Sequence, residues 1–336
     1  MGWHGSCLMQ GKEVAMNILM MYTSMPHTTG AYLEKALRGV ANVKTCGPTI
    51  ADWTLRAWDL EGIADRVTPH DIELREGTID EIQRGLGGFR PDWLLFVESG
   101  VWFEMPILSD PTLPKACYLI DTHLQAADHL QIASRFDVVF LAQKAYVDIF
   151  RERLGKPVFW LPLACDPEIH RPHDVPEVFD VAICTSPEKT DRRSRRLARL
   201  GIRYSVGVRR LFFDDMARFL SSSRLLFNSA VKDDLNMRVF ESLAIGKCLL
   251  TDSVPGLADL FVPDEDLVVY EDADLVDRVR FLLDHPEVAN RIGAQGRKKV
   301  LESHTYRHRA LSIVRTLSDG TSVKTQGEDN AAHSYV

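Results

Sequence analysis

The chain has 336 residues, 45% of them hydrophobic and 26% charged, the balance of a soluble globular protein with length for two cores. Its net charge of −7 disfavours general binding to nucleic acid or to an anionic membrane surface, although a local basic cluster can still hold a diphosphate. No apolar run reaches the roughly eighteen residues that a membrane helix needs, and the cytoplasm is the expected compartment.

Residues 1–15 read as a leader extension ahead of Met16. Met1-Gly2 with Ser6 and Cys7 formally matches a lipidation pattern, but one so short arises by chance. Residues 17–22 form an apolar run that predicts a first buried strand, followed by a polar loop with Pro26, His27, Thr28 and Thr29. Leu33, Ala36, Leu37 and Val40 then fall at helical spacing. Gly30 could let a substrate approach the backbone, yet it reads better as a simple helix-start turn. Residues 43–90 give no clean period and predict short strands with a helix near 79–86. Strong strand patterns follow at 93–97, ending at Glu98-Ser99-Gly100, and at 115–120, ending at Asp121-Thr122-His123. Two more cover 137–142 and 157–161, with a helix between them to residue 154. Strands that alternate with helices imply a parallel sheet with crossover helices.

Pro162, Pro167, Pro172 and Pro176 interrupt that rhythm and mark 166–178 as an interdomain linker. His170 and His173 lack a Cys or Glu framework that would make them a metal site. The six cysteines (Cys7, Cys46, Cys117, Cys165, Cys184, Cys248) include no C-x-x-C pair, so reduced core thiols are expected. A second α/β unit restarts at 180–185 and leads into a basic helix with Arg192, Arg193, Arg195, Arg196 and Arg199. Most of that helix reads as a solvated face, with Arg192 or Arg193 at its start placed to meet a diphosphate. A strand at 202–206 ends at Gly207, and a helix follows over 212–220.

The most informative stretch comes next. A strand at 224–227 stops at Asn228, a polar loop carries Asp233 and Asp234, and Met237, Phe240, Glu241, Leu243 and Ala244 are spaced as a helix closed by Gly246. Open α/β sheets bind ligands in such strand-to-helix loops, and helix-start amides favour phosphate oxygens. Strand 267–270 and helices over 272–283 and 286–301 follow, then a last helix over 304–317. Residues 318–336 are polar and read as a disordered tail.

Asp234 to Gly246, followed by an apolar strand and Gly256-Leu257-Ala258-Asp259-Leu260-Phe261, resembles the donor-binding segment of GT-B glycosyltransferases, and among them the spore-maturation (CgeB-like) group. Residues 160–167 resemble the hinge of that group, and His304-Thr305-Tyr306 with Arg309 its crossover element. The resemblance implies an α/β GT-B fold of two Rossmann-like domains facing a central cleft. Residues 16–165 would be the acceptor side, 179–303 the nucleotide-sugar side, and the last helix would cross back. It further implies transfer of a sugar from a nucleotide-sugar, with UDP or GDP the favoured carriers, to an acceptor hydroxyl on a small molecule, glycan or protein. Neither metal nor cofactor is expected.

Retaining relatives carry two Glu separated by seven residues, and Asp233 and Glu241 stand in those places. By resemblance, Glu241 would hold the ribose hydroxyls, while Asp233, Asn236 and Met237 would contact sugar or phosphate. Arg238 would face the diphosphate or brace the loop, with a salt bridge to Asp234 or Glu241 the structural alternative. Arg193, Asn228 and Gly207, the last near the nucleobase, complete the donor side. On the acceptor side stand Glu98, Asp121 and His123. An Asp-x-His at a strand end suits a general base, against a locally bonded His with Asp121 as helix N-cap. The acceptor and the oligomeric state stay open. The competing readings are a non-catalytic protein of the same fold and a non-hydrolysing sugar-nucleotide epimerase, whose characteristic residues are not evident.

Overall fold

The computed structural model describes residues 16–74, 78–99, 111–185 and 191–331. The 1–15 leader, the loop at 186–190 and the end of the expected tail lie outside the described residues.

The first unit contains strands β1 Asn17–Met21, β2 Asn42–Gly47, β3 Ile72–Glu73, β4 Trp93–Val97, β5 Lys115–Leu119, β6 Val138–Leu141 and β7 Val158–Trp160. All are parallel, in the order β3-β2-β1-β4-β5-β6-β7. The central strands NILMM, WLLFV and KACYL are buried on both faces, which is why they read as continuous apolar runs and not as alternating ones. Successive side chains still part to opposite faces: Ile18, Met20, Trp93, Leu95 and Val97 join one core, while Leu19, Met21, Leu94 and Phe96 join another. The helices of this unit are α1 Thr29–Leu37, α2 Asp52–Ala57, α3 Ile79–Leu86, α4 Thr122–Ala133 and α5 Val147–Leu154. The unreadable stretch before residue 90 has its physical signal in a Thr78–Glu81 capping box that starts α3.

The second unit is a five-stranded parallel sheet in the order β12-β11-β10-β8-β9. Its strands are β8 Phe179–Cys184, β9 Val206–Arg209, β10 Ser223–Phe227, β11 Cys248–Asp252 and β12 Val268–Tyr270. Helices α6 Asp191–Gly201, α7 Phe213–Ser221, α8 Met237–Ile245, α9 Leu257–Leu260, α10 Leu275–Asp284 and α11 Pro286–Ser303 cover it. The final helix, α12 Tyr306–Ala331, crosses back onto α1. Tyr306 stacks on Tyr32 with ring centroids 5.2 Å apart, and the buried Arg309 donates to the carbonyls of Pro162 and Leu163 at 2.6 and 3.0 Å. Helix α12 extends past residue 317 into the segment expected to be a tail, since no proline stops it there. Among the described residues, no helix is long and apolar enough to cross a membrane.

Candidate active site between the two sheets

The carboxyl ends of β1, β4 and β5 point towards the start of α8, and between them lies a cavity of about 340 Å³. His27, Thr28, Glu98, Asp121, Gln143, Asn236, Met237 and Arg238 are among its walls. Helix α8 enters with its N-terminus. Its N-cap Asn236 makes no side-chain capping bond, and its Oδ1 is buried without a hydrogen-bond partner. The first amides of the helix therefore stay available to an anion. The preceding loop is held open by Lys232 and Asp233, consecutive non-glycine residues at φ 47° and 59°. Such left-handed backbone stores strain, which clusters at functional sites. Asp234 closes the loop by accepting from the Val231 amide at 2.8 Å.

Arg238 reaches the cavity from the first turn of α8. Its Nη1 donates to Glu241 and lies 3.3 Å from the sulfur of Met216. Burial alone would lower its pKa, but the Glu241 carboxylate outweighs this and raises it, so the guanidinium stays charged. Glu241 is 1% exposed, with its second oxygen 3.2 Å from His170 Nε2. Burial would raise its pKa, yet Arg238 and His170 prevail and bring it down to about 2. The salt bridge weighed as the alternative role of Arg238 is thus present, with Glu241 and not Asp234 as partner.

Across the cavity, Glu98 Oε2 accepts from the amides of Ile120 and Asp121 at 2.5 and 3.2 Å and lies 3.4 Å from His129 Nε2. Asp121 stands at the N-cap position of α4 but makes no capping bond. Burial first, then the carboxylates of Glu98 and Asp234, push its pKa up to about 7, against an opposing pull from His129. A carboxyl group that titrates near neutrality on a cavity wall is suited to move a proton. His123 sits in an adjoining opening of about 200 Å³ with Asp233 and Lys232. Its Nε2 is 3.9 Å from Asp234 Oδ2, and burial lowers its pKa.

The structure therefore brings Glu98, Asp121, Asn236, Met237 and Arg238 to one cavity, with His123 and Asp233 beside it. Four expected donor residues are placed elsewhere. Glu241 lies beneath Arg238, one turn deeper in α8. Gly207 is inside β9 and not at a strand end, with the rings of Phe179 and Phe219 about 3 Å from where a Cβ would stand. Asn228 braces strand ends, donating to Thr251 Oγ1 at 3.0 Å and accepting from the Tyr270 hydroxyl through its carbonyl. Arg193 bonds Thr185 Oγ1 at 2.6 Å and the Ser229 carbonyl at 3.1 Å. Arg196, read as solvated surface, is 2% exposed and joins Ser229, Asp252, Tyr270 and Asp272. Arg192 is half-exposed, 3.7 Å from Asp233. His170 and His173 face different carboxylates, Glu241 and Asp214. Among the described residues, no cluster of three or more His, Cys, Asp or Glu could hold a metal.

Sequence reasoning missed several wall residues, and two of them, Gln143 and His27, bear on the site's chemistry. Gln143 Oε1 accepts from the Leu235 amide at 3.2 Å and so pins the α8 loop to the first sheet. His27 packs on Phe212 with ring centroids 4.4 Å apart. Its pKa is lowered to about 4, by burial and then by Arg238 and Arg210. Both follow strand ends, so the rule that selected Glu98 and Asp121 would have found them if applied to β1 and β6.

Residues 188–315 match the model of a family described as Glycosyl transferase-like. No curated protein matches the sequence. Among solved structures, the chain is similar to sucrose-phosphate synthase from Thermosynechococcus elongatus, with TM-score 0.60 and 10% identity over 92% of this chain and 100% of that one. It is similar to HepE from Anabaena in complex with UDP-glucose, with TM-score 0.60 and 12% identity over 90% of this chain and 100% of that one. UDP-GlcNAc 2-epimerase from Neisseria meningitidis, bound to UDP-GlcNAc, aligns with TM-score 0.53 and 13% identity over 90% and 100% of the two chains. Identities this low establish shared architecture, and that architecture is the GT-B arrangement of two facing Rossmann-like sheets.

Proposed function

We propose that the protein is a glycosyltransferase that moves a sugar from a nucleotide-sugar donor to an acceptor hydroxyl. The observation that carries this reading is the interdomain cavity, where Arg238 and an uncapped helix N-terminus face a carboxyl group titrating near neutrality. The Glycosyl transferase-like match over 188–315 supports it. In the reaction, the acceptor oxygen bonds to the anomeric carbon as the bond from that carbon to the diphosphate oxygen breaks. The electron pair leaves with the diphosphate, and the acceptor proton passes to a base. Arg238 and the first α8 amides are placed to receive the charge of the leaving diphosphate. Asp121 is placed to take the proton.

UDP is the carrier favoured by the UDP-glucose complex of HepE. In this reading no metal is needed, because Arg238 and the helix start receive the leaving-group charge. The acceptor oxygen attacks from the face that the diphosphate leaves, the retaining outcome that the sequence spacing of Asp233 and Glu241 favours. The motif at 234–246 supports a likeness to the spore-maturation group. The test is thermal unfolding with UDP-, GDP-, ADP- and dTDP-sugars, where a ligand at a hundredfold excess over Kd adds about 2.7 kcal/mol. A UDP-sugar should raise the midpoint, and Arg238→Ala should shrink the rise without removing it, because the α8 amides remain. No shift with any donor, together with no nucleotide release in the presence of acceptors, would overturn the proposal. Because the similar structures include an epimerase, the matching donor is also incubated alone. Rapid epimerisation of the sugar without acceptor would assign the site to that chemistry instead.

A further inference from the structure

We infer that His170, in the linker between the sheets, is a positioning residue that sets Arg238 for the donor by holding Glu241. The inference rests on the donor site proposed above, and its geometry is independent of which sugar is bound.

The linker turn is closed on itself: the Asp166 amide donates to His170 Nδ1 at 3.0 Å, and the His170 amide donates to the Asp166 carbonyl at 2.8 Å. An Nδ1 that accepts a hydrogen bond carries the lone pair, so in the neutral ring the proton sits on Nε2. Nε2 lies 3.2 Å from Glu241 Oε1, with the two side chains 0% and 1% exposed. The approach is close but not aligned as a full hydrogen bond, which leaves a fully buried donor under-satisfied. Glu241 accepts from Arg238 on its other oxygen, and Arg238 forms part of the cavity wall. A path of three side chains therefore runs from linker to cavity.

The linker turn is tied to both units. Lys35 of α1 donates to Asp166 Oδ2 at 2.7 Å, and the Tyr32 ring lies 5.7 Å from the His170 ring. On the other side, His170 meets α8 through Glu241. A change in the angle between the sheets must move this turn relative to α1 or α8. If it moves relative to α8, the buried carboxylate loses a donor and the Arg238 fork loses its fixed anchor. His170 thus makes the geometry of the donor arginine depend on the position of the linker.

The test compares His170→Ala, His170→Gln, His170→Asn and Arg238→Ala, alone and with His170→Ala in the Arg238→Ala background. Calorimetry with the donor identified above reads Kd, steady-state kinetics read the acceptor KM, and thermal unfolding confirms folding. Loss of His170 should weaken donor binding by about threefold to tenfold, the scale of an ordinary hydrogen bond, since the contact with Glu241 is close but not fully aligned, with the acceptor KM unchanged. Glutamine, whose amide can still reach Glu241, should recover most of that loss, and asparagine should not. In the Arg238→Ala background the histidine change should add nothing, because both act through one interaction. Additive losses, or wild-type donor affinity in a folded His170→Ala or His170→Asn protein, would overturn the inference. If the wild-type protein binds no nucleotide-sugar, the functional proposal fails separately. The positioning role is then read from nitrogen-15 spectra of the Arg238 guanidinium, which must change in His170→Asn and stay near wild type in His170→Gln. Unchanged spectra in His170→Asn would overturn it.

Discussion

Asp121→Asn should make the protein more stable and less active, and both effects should depend on pH in a predictable direction. In the folded chain the Asp121 carboxyl titrates at about 7, against 3.8 for an unperturbed aspartate, with burial the main cause. Between those values the folded state binds a proton that the unfolded state does not. Stability is therefore fully present below the unfolded value and is lost as pH rises through the folded one. The gap corresponds to about 4 kcal/mol at its upper limit, reached above pH 7. Asparagine has nearly the same shape and never ionises, so the variant should match wild type near pH 4. It should gain on wild type steadily up to about pH 8. Urea unfolding at four pH values across that range reads the difference. The same substitution removes the base, so transfer should fall by about 10²–10⁴-fold. The wild-type rate should rise with pH through about 7, and the variant rate should lack that limb. If wild type and variant lose stability in parallel as pH rises, the carboxyl is not held in its buried, protonated state and the assignment of Asp121 as base fails.

Three other outcomes follow from packing and hydrogen bonding. Gln143→Ala removes the acceptor of the buried Leu235 amide, which should cost about 1–3 kcal/mol and speed hydrogen exchange at that amide. Gly30→Ala would place a Cβ 2.4 Å from the Tyr22 ring, which is anchored by its hydroxyl bond to Glu34. Overpacking of this kind should cost about 1–3 kcal/mol, read by thermal unfolding. Cys46, Cys117, Cys165, Cys184 and Cys248 are all free and buried, and burial pushes Cys46, Cys165 and Cys248 up to about 12. A thiol reagent should modify these five only as fast as the chain unfolds.

The fold was legible because its information is local. The buried runs at 17–21, 93–97 and 115–119 are continuous and apolar, as parallel strands covered on both faces must be, and the proline-rich linker broke the rhythm where the sheets part. The edges of the first sheet were harder. Strand β3 is only two residues long, too short to show any period. In the candidate site, Glu98, Asp121 and Arg238 were found because each stands at a strand end or helix start. The basic helix misled because a run of arginines looks the same whether solvated or buried. Arg196 differs from its neighbours in being buried against Asp252 and Asp272, which lie 56 and 76 residues further along. Long-range pairs of that kind leave no mark in local spacing.

The same limit governs Glu241, where spacing and geometry disagree. Seven intervening residues pair it with Asp233 in the sequence, but Asp233 belongs to a left-handed loop beside the cavity and Glu241 is the fifth residue of α8. Four residues of helical rise from Met237 carry it about 6 Å further from the cavity than the helix start. Its two oxygens are engaged by Arg238 and His170. A direct contact with a donor ribose and a structural clamp on Arg238 predict different things for Glu241→Ala before any ligand is added. A residue kept for the ribose alone could be removed without loss of stability in the empty protein. A clamp cannot, because its removal leaves Arg238 and the buried His170 without their carboxylate, a change that costs about 3–5 kcal/mol when one partner of a buried pair is deleted. Urea unfolding of the ligand-free variant decides between them: a loss on that scale supports the clamp, and wild-type stability with lost donor binding would return Glu241 to the ribose.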